Sequence, residues 1–202
     1  INKNLLKKNK IGVTEYLALK CKIKDDSEVM LIKSKKLAVS PITTHLDVKD
    51  VSKNINSRKI INKVKTLNSW YKKYLRKKPK IVVLGLNPHN AELRNNSEEK
   101  KIIIPSILKL KKKGFNISGP FSADTIFMNE YKDYDVIVGM FHDQIIPPFK
   151  TLFKFDAINV TLGLKYLRVS PDHGTAYNLI KKNKANYQSL KECIEFLNKF
   201  NK

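Results

Sequence analysis

An α/β fold, with a mostly parallel sheet covered by helices, is what the sequence predicts, on three observations. Short apolar runs of strand length alternate along the chain with segments whose apolar residues recur at helical spacing. The 202 residues are 42% hydrophobic and 29% charged, enough apolar material for packed layers around a real core. No internal repeat and no low-complexity linker interrupts the alternation.

The elements follow in order. "VMLIKS" (29–34) and "LAVSPI" (37–42) read as two short strands. In 57–77, Ile60, Ile61, Val64, Leu67, Trp70, Tyr71 and Tyr74 fall at helical spacing, which predicts an amphipathic helix whose aromatics serve the core. "KIVVLGLNPH" (80–89) is a buried strand running into a loop at Asn87. In 95–114, Asn96 and Glu99 have capping-box spacing, Gly114 suits the C′ position, and Pro105 marks either a kink or the true first turn of the helix. "FNISGPFSAD" (115–124) gives a strand and a turn, "DVIVGM" (135–140) a buried strand, and "AINVTLGL" (157–164) with "YLRVS" (166–170) two more. "GTAYNLIKK" (174–182) and "SLKECIEFLNKF" (189–200) read as closing helices.

Lys and Arg number 40 against 18 Asp and Glu, a formal net charge of +22 that on its own suggests a nucleic acid or another polyanion as partner. The distribution argues against this. Basic residues recur in most helical segments mixed with Asn and Ile, as composition drift would leave them, so nucleic acid is not the expected partner. Cys21 and Cys193 lie far apart without C-x-x-C spacing, which suits buried free thiols in a reducing compartment. No apolar run approaches the roughly 20 residues of a membrane span, and nothing near Ile1 reads as a signal peptide, so a cytoplasmic protein without a membrane partner is expected. The polar opening that begins with Ile1 reads as a piece of a longer chain.

The four histidines, His45, His89, His142 and His173, each fall just after a predicted strand. In parallel α/β folds ligands bind at the carboxyl ends of strands. Separated imidazoles there suit a catalytic divalent metal that keeps a coordination position for substrate; the alternative is histidines hydrogen-bonded at loop starts with no metal. Asp124, Asp143 and Asp172 add carboxylates in the same loops, as acceptors for imidazoles or for a substrate amine. Lys150, Asn159 and Arg168 supply a cation, an amide and a guanidinium suited to an anionic substrate.

Five motifs in order, "TTHLDVKD", "LGLNPH", "GPFSADTIF", "MFHDQIIPPFK" and "NVTLGLKYLRVSPDHGTA", resemble the 4-hydroxythreonine-4-phosphate dehydrogenase family of pyridoxal phosphate biosynthesis. The resemblance implies a fold like that of isocitrate and isopropylmalate dehydrogenases, two α/β domains around a cleft in a homodimer. Residues 1–165 would form mainly the central substrate, metal and dimerisation domain, and 166–202 would return to a first domain that is incomplete here. It implies oxidation of 4-phosphooxy-L-threonine by NAD or NADP, then decarboxylation to 3-amino-2-oxopropyl phosphate. By position, His45, His89 and His142 match the ligands of a divalent metal (Zn, Mg, Mn or Co), two from one subunit and one from its partner. Thr14, Lys150, Asn159 and Arg168 match substrate-binding positions, with Lys150 also counted with the active-site carboxylates Asp124 and Asp143; Asp172 and His173 match a loop near the nicotinamide. The chain departs from the family at Val13, where many members carry a substrate-binding histidine, and in "TLFKFDAIN", where many are glycine-rich.

Overall fold

A computed structural model describes residues 12–23, 26–174 and 176–200. Its centre is one seven-stranded sheet in the order β4-β3-β5-β2-β1-β6-β7. The strands are β1 (Val29–Lys33), β2 (Ala38–Thr43), β3 (Ile81–Leu84), β4 (Ile117–Phe121), β5 (Val136–Phe141), β6 (Ile158–Leu162) and β7 (Arg168–Pro171). The helices are α1 (Val13–Lys20), α2 (Val48–Val51), α3 (Ser57–Leu75), α4 (Ile104–Lys112), α5 (Ala123–Ile126), α6 (His142–Phe153) and α7 (Gln188–Asn198). The expected α/β architecture is present, but the sheet is only half parallel rather than mostly so.

Half of the sheet is parallel: β2 pairs with β5, β5 with β3, and β3 with β4, all in one direction. The other half is antiparallel, since β1 runs against both β2 and β6, and β6 against β7. Following the directions across, β6 points the same way as β2, and β7 the opposite way.

The central strands β1, β3 and β5 are almost wholly apolar and buried because both faces of the sheet are covered there. Alternate residues go to opposite layers. Val29, Leu31, Ile81, Val83, Val136 and Val138 face the layer containing α3, α4 and α7, where they meet Ile60, Val64, Leu67, Ile107 and Phe196. Met30, Ile32, Val82, Leu84 and Ile137 face α6, through Ile145, Ile146 and Phe149. Trp70 is a core residue, stacked on Phe196 with ring centroids 6.1 Å apart and edge-on to Tyr71 at 5.4 Å.

Helix boundaries obey local chemistry. Asn56 caps α3 by accepting from the Lys59 N–H at 2.9 Å, and Gly114 takes φ +77° one residue past the α4 C-cap, Lys113. Two expectations are corrected. Asn96 and Glu99 do not form a capping box: Ser97 is the acting cap, its Oγ accepting from Lys100 N–H at 3.3 Å, while Glu99 begins a π-helical turn, Glu99–Ile103, and turns away from the helix axis. Pro105 then sits in the first turn of α4, directly after the π-helical turn that runs into it. Of the helix expected over 174–182, in which Thr175 lies outside the described residues, one 3-10 turn is present, Tyr177–Leu179, and Tyr177 and Ile180 stay exposed with no apolar face to bury. Of the thiols, Cys193 is buried and Cys21 half-buried.

Candidate active site

Three of the four histidines leave the sheet on the side to which β2, β3 and β5 point. His45 follows β2 by two residues, and His142 begins α6 directly after β5. Because β2 and β5 are neighbours with Thr43 opposite Phe141, the two imidazoles come together, their centroids 6.3 Å apart and their planes tilted by 38°. A small cavity of ≈ 160 Å³ lies between them, lined by Thr44, Leu46, Phe141 and Asp143 among others. A larger one of ≈ 820 Å³ extends from His45 past Glu15, Thr44 and Asp47 toward Lys59 and Lys63.

Each of the three imidazoles turns Nδ1 toward a carboxylate. His142 Nδ1 is 2.6 Å from Asp143 Oδ1, His45 Nδ1 is 3.2 Å from Glu15 Oε2, and His89 Nδ1 is 3.8 Å from Asp124 Oδ2. For His142 and His45 the carboxylate is within hydrogen-bonding distance of Nδ1, which leaves the Nε2 lone pair for a ligand, the arrangement usual around metal-bound histidine; the His89–Asp124 separation is too long for a hydrogen bond. The donor set therefore fits a divalent metal, with His45, His89 and His142 as the residues that would hold it. Among the described residues no three His, Cys, Asp or Glu side chains gather closely enough to hold an ion. His89 stands apart and is 73% exposed, whereas His45 and His142 are 35% exposed.

Glu15, which the sequence reading passed over, is tightly held. Burial pushes its carboxyl up, but hydrogen bonds from His45, from the Thr44 hydroxyl and from its own backbone outweigh this and hold it at about 2. Gly12 makes room for the pair, since a Cβ there would collide with the His45 ring and the Glu15 carboxylate. The one hint in the sequence was the acidic residue in the first turn of a helix beside Thr14. Thr14 itself is buried, 4% exposed. Gln144 was passed over too: its Oε1 accepts from Met140 N–H and its Nε2 donates to Gly85 O, both at 2.7 Å, which ties the ends of β5 and β3 together.

The cationic residues lie on the sheet face that α6 covers. Asn159 on β6 and Arg168 on β7 are near-neighbours across the ladder, where Thr161 pairs with Arg168. Arg168 Nη1 donates to Thr161 Oγ1 at 3.1 Å, and burial pulls the guanidinium down from its ordinary value. Lys150 on α6 reaches Asp172, donating to its carbonyl at 3.0 Å with the carboxylate at 3.4 Å. Burial raises the Asp172 carboxyl, only partly offset by Lys150. Asp172 Oδ2 and Asn159 Oδ1 are buried without a hydrogen-bond partner among the described residues, polar atoms that suit a polar ligand.

His173 differs. It follows β7, whose direction is opposite to that of β2, β3 and β5, and its Nδ1 lies 3.0 Å from Gly174 O rather than from a carboxylate.

Residues 1–197 match the family model described as pyridoxal phosphate biosynthetic protein PdxA. Among curated proteins, a 4-hydroxythreonine-4-phosphate dehydrogenase from a Sulfurihydrogenibium species is 45% identical over 186 residues, covering 91% of this chain and 57% of that protein. One from Aquifex aeolicus is 40% identical over 187 residues, covering 92% and 58%. Among solved structures, a 4-hydroxythreonine-4-phosphate dehydrogenase from Klebsiella pneumoniae superposes with a TM-score of 0.77 at 33% identity, covering 92% of this chain and 57% of that one. The chain thus spans a little over half the length of the relatives it matches.

Proposed function

The chain belongs to the family of the pyridoxal phosphate biosynthetic protein PdxA, and from that membership we propose that it acts as a 4-hydroxythreonine-4-phosphate dehydrogenase. The reaction is oxidation of the C3 hydroxyl of 4-phosphooxy-L-threonine: hydride passes from C3 to NAD or NADP, the hydroxyl proton to a base, and the β-keto acid formed loses carbon dioxide to give 3-amino-2-oxopropyl phosphate.

The observation that carries this reading is the pair His45 and His142, side by side at the ends of adjacent parallel strands and each backed by a carboxylate at Nδ1. A divalent ion, when bound, polarises the substrate hydroxyl and stabilises the charge that develops on its oxygen. Three histidines complete the ligand set across a homodimer, two from one copy and one from the other. Glu15 and Asp143 hold the imidazoles in the tautomer that binds. Asp124 and Asp143, both exposed beside a histidine, take the hydroxyl proton or meet the substrate amine in this reading. Lys150, Asn159 and Arg168 hold the anionic end of the substrate, with Lys150 released from Asp172 as the anion arrives. Thr14, on α1, joins them as a substrate-binding residue, and Asp172 with His173 borders the nicotinamide.

The test is formation of reduced nicotinamide from 4-phosphooxy-L-threonine by metal-depleted protein, before and after resupply of Zn, Mg, Mn or Co. Turnover that appears only with metal, and is lost in His45→Ala, is the expected result. Turnover indifferent to chelation and to that substitution would overturn the reading.

A further inference from the structure

His89 to Leu93 hold five consecutive φ values between 50° and 56°, and none of the five is glycine. L-residues do not enter a left-handed turn of this length unaided, because each Cβ crowds the following carbonyl. Such a turn persists only where its surroundings over-determine it. What determines it here lies mainly at its entrance. Glu99 is fully buried, 0% exposed, and among the described residues no cation pairs with its carboxylate. Instead Oε1 accepts from the backbone N–H groups of Leu86 and Asn87, both at 2.8 Å, and the Asn87 amide donates to Oε2 at 3.1 Å. Glu98 takes a further hydrogen bond from the same amide at 2.9 Å. Gly85 permits the approach, since a Cβ there would strike the Asn90 side chain and come within 3.2 Å of Glu99 Oε1. Beyond His89, Asn90 Nδ2 donates to Pro120 O at 3.3 Å, pinning the turn to β4.

We propose that Glu99 is a positioning residue for His89. Its carboxylate fixes the backbone of Leu86 and Asn87, and thereby forces the left-handed turn that presents the His89 imidazole away from the sheet. The role is not that of a helix cap, because Ser97 caps the helix and Glu99 spends its oxygens on the loop after β3. The inference rests on the reading of His89 as a metal ligand, and its test separates the two.

Affinity for Co²⁺, supplied alone as a probe, is measured by calorimetry and visible absorption for the unsubstituted protein, Glu99→Ala, Glu99→Gln and His89→Ala. Hydrogen exchange of the segment 86–94 is followed in the same proteins. The alanine variant is expected to weaken Co²⁺ binding about 10- to 100-fold, as loss of a residue that orients a ligand does, with faster exchange confined to 86–94. The glutamine variant, which keeps an acceptor oxygen for the two N–H groups and the closer shape, loses less; it also serves if the alanine variant does not fold. Co²⁺ binding within twofold of the unsubstituted protein in both Glu99 variants, while His89→Ala has lost it, overturns the proposal. So does a loss accompanied by faster exchange across the whole protein, which marks general destabilisation. Unchanged binding in His89→Ala removes His89 from the ligand set, and the proposal falls with that reading rather than on Glu99.

Discussion

The parallel half of the sheet, β4-β3-β5-β2, presents its polar chemistry from strand ends, whereas the antiparallel half, β1-β6-β7, presents it from the strands themselves and from α6. In the first, short side chains on loops are held by neighbouring carboxylates: His45 by Glu15 and His142 by Asp143. In the second, Asn159 lies within β6, Arg168 opens β7 and Lys150 reaches across from the helix, with Asn159 Oδ1 and Asp172 Oδ2 buried and, among the described residues, unpaired. Strand direction explains the division. Parallel strands deliver successive loops to one edge, where small rigid groups converge on an ion; antiparallel neighbours deliver alternate loops to opposite edges, so polar groups meet only by reaching across a face.

The largest effect expected from this comparison is at a strand end. His142→Ala should reduce metal-dependent turnover to background while leaving the melting temperature nearly unchanged, because the side chain is partly exposed and packs no core. On the face, Arg168→Ala should act on binding. Losing one charge-assisted hydrogen bond of about 1.5–3 kcal/mol raises KM roughly 10- to 100-fold with kcat nearly kept, the signature of binding equal in ground and transition states. A variant series in which Arg168→Ala lowered kcat and His142→Ala raised only KM would reverse the assignment of the two halves.

The strand ends were also the legible part. Short runs bounded by loops identified all seven strands, most plainly the buried central ones, where covering both faces leaves a nearly uninterrupted hydrophobic signature. Histidines after those runs led to His45, His89 and His142. The same rule drew attention to His173, which follows β7, and a run of apolar residues does not reveal that β7 runs opposite to β2, β3 and β5. Residues acting through another side chain stayed hidden. Glu99 looked like a capping residue because its spacing from Asn96 matched one, and only the packed loop shows its carboxylate directed at Leu86 and Asn87. Glu15 belongs to a helix 30 residues from His45, a contact no local pattern encodes.

A smaller effect tests how firmly a strand-end imidazole is backed. The Glu15 carboxyl sits at about 2, below its ordinary 4.5. At pH values between these, the unfolded chain binds a proton that the folded chain refuses, so stability rises with pH through this window. The contribution is complete above about pH 5 and is lost as pH falls toward 2. The side chain is 26% exposed, so solvent reduces the full shift to something on the order of 2 kcal/mol. Urea midpoints for the protein and for Glu15→Gln should therefore differ at pH 6 and converge near pH 2. Parallel curves across that range would show that Glu15 is not held by His45 and Thr44.

The smallest effect concerns the strain in the parallel half, which the antiparallel strands do not share. Leu93 holds φ +56° at the end of the left-handed turn and is largely exposed, so its side chain contributes little packing to offset the backbone cost. Leu93→Gly removes a Cβ crowding of roughly 1–2 kcal/mol and gives back part of it through the greater freedom of the unfolded chain. A net stabilisation of about 1 kcal/mol is expected, read as a higher urea midpoint at unchanged slope. The same change should slightly weaken Co²⁺ binding, because a glycine turn holds His89 less firmly. A destabilised Leu93→Gly would mean that the turn is not strained, and that the parallel half presents His89 without needing a buried carboxylate to hold it.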